Sequence, residues 1–363
     1  MRVTLRDPAG SRRPRLARDP DPLAEAFAHE GLERWRAGPG AAWVYRRGVR
    51  DFAAMTDLGL PLRARLAAAW STSSLSLVAE QQAGDGTRKL LLQTCDGAQI
   101  ESVIIPEARR RTLCVSSQVG CSLDCAFCAT GRLGLRRNLR ADEIVDQLLH
   151  ANEQLARGEA ITHVVFMGMG EPLLNLHAVL DALRILTHPV GPGLGARRIT
   201  VSTAGLVPRI AELGRASRVR LAVSLHATTD ALRDRLVPLN RRFPIAALLA
   251  ACREYPLEPG ERISFEYTLM RGINDGPDEA HRLVRLLRGI RAKVNLIPMN
   301  EHPASELRRP LDRVVEHFAQ VLAEAHLFVT VRRSRGSDIH AACGQLAALA
   351  SPGREQSSSL SRR

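Results

Sequence analysis

Between residues 111 and 333 the chain repeats one pattern: a short run rich in Val, Ile, Leu and Thr, then a longer stretch with apolar residues at helical spacing. The strand-like runs are 112–117, 163–169, 198–203, 220–226, 262–269, 293–299 and 328–333, and helical stretches at 141–156, 178–186, 244–255, 277–287 and 311–325 fall between most of them. Strands that alternate with helices pair in parallel, with each helix as a crossover on the sheet. The expected fold class is therefore α/β, a partial-to-complete β/α barrel. Polar residues gather where these strands end, at Ser116-Ser117, Gly168 to Glu171, Ser202-Thr203, Ser224 to His226 and Asn300. Catalytic groups of β/α barrels sit at those strand ends, so these residues should face one cavity.

The first βα unit carries Cys121-Ser-Leu-Asp-Cys125-Ala-Phe-Cys128, spaced C-x3-C-x2-C, ahead of a basic segment, 131–140. Three thiolates within eight residues can hold three irons of a [4Fe-4S] cube and leave the fourth open. A structural zinc site would want a fourth local Cys or His, and none follows. This spacing, with an aromatic residue before the last cysteine, resembles the radical S-adenosylmethionine (radical SAM) superfamily. The resemblance implies that Cys121, Cys125 and Cys128 ligate the cluster while its open iron chelates the methionine part of SAM.

Before the barrel, apolar residues recur at helical spacing from Leu23 to Ala69, with Gly38-Pro39-Gly40 as a break. Residues 23–72 thus read as a small helical module with Arg46, Arg47, Arg50, Arg63 and Arg65 on its outer faces. It is either a packing subdomain or an accessory module that grips RNA. Residues 73–110 switch to period two, with Asp85-Gly86 and Asp96-Gly97 between the runs, the signature of a short β-hairpin linker. Residues 111–348 form the barrel and a C-terminal segment. Residues 1–22 and 349–363, charged or Ser-rich with little to bury, are expected to be disordered.

With 51 Lys and Arg against 38 Asp and Glu, the net charge is +13, which favours a polyanionic partner. The bias is almost wholly arginine; Lys89 and Lys293 are the two lysines. No stretch approaches the roughly 20 apolar residues that cross a bilayer. The N-terminal residues lack the apolar core of a signal peptide, so a cytoplasmic location with no membrane partner is expected. Seven cysteines in such a chain point to metal or redox chemistry rather than a disulfide scaffold.

Gly168-Met-Gly170-Glu171-Pro follows the second barrel strand. Glycines there allow a close backbone approach to a ligand, and Glu171 offers an acceptor for an ammonium. The element resembles the radical SAM glycine–glutamate motif, which binds the amino group of SAM. Ser202, Ser224-Leu225-His226 and Asn300 occupy equivalent positions after later strands. Their hydroxyl, imidazole and amide groups suit the carboxylate, ribose and adenine edges of the cofactor, although each is equally suited to capping a strand end.

Three further residues gain meaning from a wider resemblance. Glu101-Ser-Val-Ile-Ile-Pro-Glu107, Leu113-Cys-Val-Ser-Ser-Gln-Val-Gly-Cys121, Val165-Phe-Met-Gly-Met-Gly-Glu171 and Arg198-Ile-Thr-Val-Ser-Thr203 open the match. Ala222-Val-Ser-Leu-His-Ala227, Asn295-Leu-Ile-Pro298 and Arg335-Gly-Ser-Asp-Ile-His-Ala-Ala-Cys-Gly-Gln345 continue it. Together, over about residues 42–348, they resemble the RlmN-type dual-specificity RNA methyltransferases, which methylate carbon 2 of adenine in 23S rRNA and tRNA. The resemblance implies that Cys343 takes a methyl group from one SAM, a second SAM yields a 5′-deoxyadenosyl radical, and the radical activates the S-methyl carbon for addition to the ring. Glu101 is then the base for the ring proton, and Cys114 releases the product through a transient disulfide with Cys343. It further implies 23S rRNA and tRNA as partners, an external electron donor such as flavodoxin, and a monomer.

Arginines at 109–111, 132–140 and 332–335 are expected to flank the cavity and hold phosphates. Met299 and Glu301 depart from the residues that usually flank the motif asparagine, and Cys95 receives no role. A Cfr-like enzyme methylating carbon 8 would share the same cysteines and glutamate; Pro172 and Gln345 lean towards carbon 2. A non-enzymatic iron–sulfur RNA-binding protein would lack Glu101, Cys114 or Cys343, and all three are present.

Overall fold

The computed structural model describes residues 4–5, 42–302, 305–332 and 334–347. Apart from strand β1 (Thr4–Leu5), which pairs with β2 (Trp70–Ser71), the expected arm 1–22 and tail 349–363 lie outside the described residues. So does the first half of the expected helical module.

Ten strands form one sheet. Four of them, β3 (Leu75–Gln82), β4 (Arg88–Thr94), β5 (Gln99–Glu107) and β6 (Arg110–Cys114), make an antiparallel meander. From β6 onward the pairing is parallel, through β9 (His163–Phe166), β10 (Ile199–Thr203), β11 (Arg220–Ser224), β12 (Ile263–Leu269), β13 (Ala292–Pro298) and β14 (Phe328–Val331). Strands β3 and β14 are the two edges, so this α/β sheet is open, a partial rather than a complete barrel. The stretch expected as a hairpin linker supplies three strands, β3 to β5, at one edge of this sheet. Its β6 pairs antiparallel with β5 on one side and parallel with β9 on the other, so no break separates linker from barrel.

All seven barrel strands lie where alternating apolar runs place them, yet several end early. The runs 112–117, 163–169 and 220–226 leave the ladder after Cys114, Phe166 and Ser224, and of the residues that follow, Met167, Gly168 and His226 line the cavity. The crossovers are α2 (Ala141–Glu153), α3 (Leu176–Thr187), α4 (Val207–Ala216), α5 (Asp230–Leu236), α6 (Ile245–Glu254), α7 (Pro277–Leu286) and α8 (Asp312–Glu324). Helices α4 and α5 are not among the helical stretches expected from sequence; α4 carries Pro208 in its first turn, where a missing N–H is tolerated.

The described part of the helical module is a short 3-10 turn (Phe52–Ala54) and α1 (Leu60–Ala69). Val44, Phe52, Met55, Leu58 and Leu66 pack as a small core against Leu149 of α2. Arg50 fastens this contact, bonding Asp146 and, at 2.5 Å, Glu153. Asp146 in turn accepts the backbone N–H groups of Ser74 and Leu75 at 2.8 and 2.9 Å. Arg46 and Arg63 also donate to backbone carbonyls, and Arg47 stacks on Trp43. Several of the arginines expected on outer faces therefore serve the packing of the module. Among the described residues no helix is long and apolar enough to cross a membrane.

Candidate active site

The cysteine motif sits on a loop that a hairpin presents to the open end of the barrel. The hairpin is β7 (Gln118–Gly120) with β8 (Leu135–Asn138). Gly120 has φ +79°, and a Cβ there would lie 1.9 Å from the Gly134 carbonyl oxygen, which Cys121 N–H bonds at 2.9 Å. Only glycine fits, so this contact sets where the motif begins. Further on, Ala126 N–H bonds Leu236 O at 3.0 Å and Ala129 N–H bonds Gly344 O at 2.7 Å, pinning the loop to α5 and to the C-terminal segment.

Cys121, Cys125 and Cys128 are half-buried and line one cavity of ≈ 960 Å³, open mouth included. Burial pushes the Cys121 thiol up to about 11, with Cys128 and Glu171 adding to the rise and the Leu123 N–H opposing it. Cys125 is also pushed well up by burial and by the two neighbouring thiols, and Arg233 opposes this. Thiols that raise one another in this way need positive charge between them to ionise, which is what a cationic metal centre provides. Among the described residues no three His, Cys, Asp or Glu side chains converge on a single ion. Three thiols around one end of a cavity suit a cluster with several irons better than a lone zinc.

The glycines of the Gly168-Met-Gly170-Glu171 turn answer to packing more than to a ligand. A Cβ on Gly168 would meet Val115 O at 2.7 Å, and one on Gly170, at φ +96°, would meet Gln118 Cβ at 2.5 Å. The turn thus lies flush on the end of the first barrel strand, where Gln118 Oε1 accepts Glu171 N–H at 2.8 Å. The Glu171 carboxylate is buried and already bound: Oε1 accepts Leu173 N–H at 3.1 Å and Oε2 accepts Ala204 N–H at 2.8 Å. Burial raises its pKa while both bonds oppose the rise. The Thr203 hydroxyl is a third partner, and Glu171 lines the cavity.

Ser202, Ser224, His226 and Asn300 line the same cavity; Leu225 is fully buried behind it. His226 has φ +57° and rests edge-on against Phe127, ring centroids 4.4 Å apart. Burial, and then Arg233, depress its pKa to about 3, so it is neutral. Its Nδ1 accepts Thr268 N–H at 3.0 Å, which leaves the ring proton on Nε2. Asn300 donates from Nδ2 to Cys343 O at 3.0 Å and accepts Ser334 Oγ at its Oδ1. Its amide therefore holds the C-terminal segment in addition to facing the cavity.

That segment brings Cys343 into the cavity. Gln345 Nε2 anchors it on Glu301 O at 2.8 Å, and Thr130 Oγ1 donates to Leu346 O at 2.6 Å. Cys343 stays open to solvent, yet the protein around it desolvates the thiol and raises its pKa, with Arg332 acting against the rise. Cys114 lies buried beyond it. Burial and the nearby Cys343 push Cys114 up to about 12, and Arg332 again opposes. Both thiols are free and share one guanidinium. Glu101 is 2 % exposed and does not line the cavity; Lys89 Nζ lies 3.1 Å from Oε1, and Ala347 N–H donates to Oε2 at 2.9 Å.

Four further residues shape the site, and of these only Arg332 lies in a segment expected at the cavity. Arg233 is fully buried and clamps the ends of β10 and β11, donating to the carbonyls of Ala204, Ser224 and Leu225 at 2.7–3.0 Å. Glu266, on β12, lines the cavity with Oε1 bonded by Asn295 Nδ2 at 2.7 Å. Arg332 lines it beside Cys343. Lys89 is the partner of Glu101. Their alternating strands and helix read as ordinary, and only a buried charge on an apolar run hints at Lys89 and Glu266.

Many of the arginines expected around the mouth are paired within the chain. Arg111 bonds Glu159, Arg132 lies 3.2 Å from Asp124, Arg137 bonds Asp96 and Glu143 at 2.8–3.0 Å, and Arg140 bonds Asp142 at 2.9 Å.

Comparison with known proteins agrees with this geometry. Residues 115–285 match the radical SAM superfamily, and residues 16–71 match the ribosomal RNA large subunit methyltransferase N-terminal domain. Dual-specificity RNA methyltransferase RlmN of Syntrophobacter fumaroxidans is 52% identical over 331 residues, 89% of this chain and 97% of that one. RlmN of Anaeromyxobacter dehalogenans is 49% identical over 91% of both chains. A crystal structure of a radical SAM methyltransferase from Sphaerobacter thermophilus superimposes with a TM-score of 0.87 at 49% identity, covering 91% of this chain and 98% of that one.

Proposed function

The chain belongs to the RlmN family of radical SAM RNA methyltransferases, and we propose that it methylates carbon 2 of adenosine in two RNAs. These are 23S rRNA, in the peptidyl-transferase region, and tRNA, at the adenosine 3′ of the anticodon. It is a SAM-dependent RNA methyltransferase whose cofactors are a [4Fe-4S] cluster and SAM.

Carbon 2 of adenine is electron-poor, so polar attack on the SAM methyl group is closed to it. In our reading Cys121, Cys125 and Cys128 hold the cluster, and Gly170, Glu171, Ser202, Ser224, Leu225, His226 and Asn300 hold SAM. When bound, the cluster supplies the electron that splits SAM and makes radical chemistry available. Cys343 acts first as a nucleophile: its thiolate forms a bond to the SAM methyl carbon, and the departing sulfur keeps the electron pair of the broken bond. Arg332 beside that thiol favours the ionised form. Once the S-methyl carbon has joined the ring, Glu101 takes the ring proton. Cys114 then attacks the sulfur of Cys343; the S–C bond breaks, its electron pair goes to the base, whose new methylene carbon takes up a proton to become the methyl group, and a disulfide is left for a cellular reductant to open.

What chiefly supports this reading is that Cys343, far along the chain, lines the same cavity as the three motif thiols, with Cys114 close enough to sense its charge. Glu101 lies under the C-terminal segment, so substrate entry must draw Ala347 away from its Oε2. The helical module at 23–72 is read as an RNA-gripping accessory, on the strength of the matched N-terminal domain. A monomer in the cytoplasm, fed electrons by a flavodoxin-like donor, completes the reading. Mass spectrometry of nucleosides from a deletion strain tests it. 2-Methyladenosine should disappear from both 23S rRNA and tRNA and return with the wild-type gene, whereas loss of 8-methyladenosine would point to the other carbon.

A further inference from the structure

Two donors of different kind meet the Glu101 carboxylate. Lys89 Nζ approaches Oε1 at 3.1 Å, and both side chains are almost fully buried, at 4 % and 2 % exposure. In the β4–β5 ladder Lys89 pairs with Val103, so Glu101 stands two residues along on the same face, a diagonal neighbour. The other oxygen, Oε2, accepts a backbone N–H, that of Ala347 at 2.9 Å. The main chain of Glu101 is fixed as well: its carbonyl accepts Ser116 Oγ at 2.7 Å and its N–H faces Met169 Sδ at 3.4 Å.

The choice of lysine is informative in a chain where 49 of the 51 basic residues are arginine. An arginine opposite a carboxylate tends to grip both oxygens in a bidentate fork. An ammonium is a compact charge that can satisfy one oxygen and leave the second to another partner.

We propose that Lys89 is a positioning residue for the methyl-transfer reaction, holding Glu101 through Oε1 so that Oε2 is the atom that receives the ring proton. This rests on the reading of Glu101 as the base. In the step concerned the ring C–H bond breaks, an O–H bond forms at Oε2, and the electron pair stays with the ring. The Ala347 N–H marks the place of that proton, and the segment bearing Cys343 must shift as the adenine arrives.

The test uses RNA carrying deuterium at carbon 2 of the target adenine, with the full-length, cluster-loaded enzyme. In Lys89→Met, methyl transfer to RNA should slow by roughly 100-fold or more, the scale of a lost general base. Proton removal then becomes the slow step, so the deuterium isotope effect should exceed that of the wild type. A merely structural defect slows the reaction without raising the isotope effect, and an isotope effect no larger than wild type would overturn the proposal. Lys89→Gln provides the same comparison if the methionine variant does not fold. Glu101→Gln separates the two ideas: if it still turns over at the wild-type rate, the reading of Glu101 as base fails, whatever Lys89 does.

Discussion

The side-chain amide of Asn300 donates to the carbonyl of Cys343 at 3.0 Å. One strand-end residue thereby holds Cys343 in the cavity that Cys121, Cys125 and Cys128 line. Asn300→Ala should slow methyl transfer from SAM to Cys343 by roughly three- to tenfold, the worth of one net hydrogen bond. Labelled methyl incorporated into protein in a single turnover measures it. If instead SAM affinity falls while transfer at saturating SAM is unchanged, Asn300 serves the cofactor and not the segment.

Cys114 is buried beside Cys343 with its thiol pushed up to about 12, so it stays protonated until its partner is engaged. Cys114→Ala, expressed in cells, should accumulate a covalent protein–RNA adduct through Cys343. Denaturing gels with nuclease treatment and mass spectrometry of the Cys343 peptide reveal it. Turnover at the wild-type rate with no adduct would refute the resolving role.

Gly120→Ala sets a methyl group 1.9 Å from Gly134 O, at a φ of +79° that alanine rarely adopts. The loop that starts the cysteine motif must shift, so iron and sulfide content after anaerobic reconstitution should drop well below the wild-type value. Gly97→Ala has the same sign of φ and nothing within 4 Å, and it should load normally.

His226 is held neutral, its pKa depressed to about 3 from 6.5 by burial and Arg233. As pH falls below about 6.5 the unfolded chain takes up this proton and the folded one does not. The stability that His226 contributes is therefore full above pH 6.5 and is lost as pH falls towards 3. From pH 7 to pH 5 the loss from this one group is about 2 kcal/mol. His226→Asn keeps an acceptor for Thr268 N–H and does not titrate, so its urea midpoint should fall less over that interval.

Much of this protein is legible in its amino-acid order. The seven barrel strands, the meander that precedes them, and the Cys121–Cys128 motif are local patterns, written by two-residue and 3.6-residue periods and by spacing along a loop. Ser202, Ser224, His226 and Asn300 stand out because a parallel sheet sends every strand end to the same side. Where sequence and fold part company, the cause is pairing. Residues 73–110 look self-contained in sequence, and only the two-sided ladder of β6 makes them part of the barrel sheet. The arginines of the helical module look like an RNA surface until Asp146 and Glu153 of α2 come to meet Arg50.

The cysteine motif and the strand pattern thus follow from the chain's own local order: three thiols within eight residues remain neighbours in any fold. Which other groups share their cavity is decided by tertiary structure alone. Cys343 reaches it because Asn300, Glu301 and Thr130 hold its segment there. Glu101 meets Ala347 across 246 residues, and Arg233 crosses the ends of two strands it does not belong to. Contacts of that span follow from burial and from the need of every buried charge for a partner, and neither leaves a mark in the spacing of a sequence.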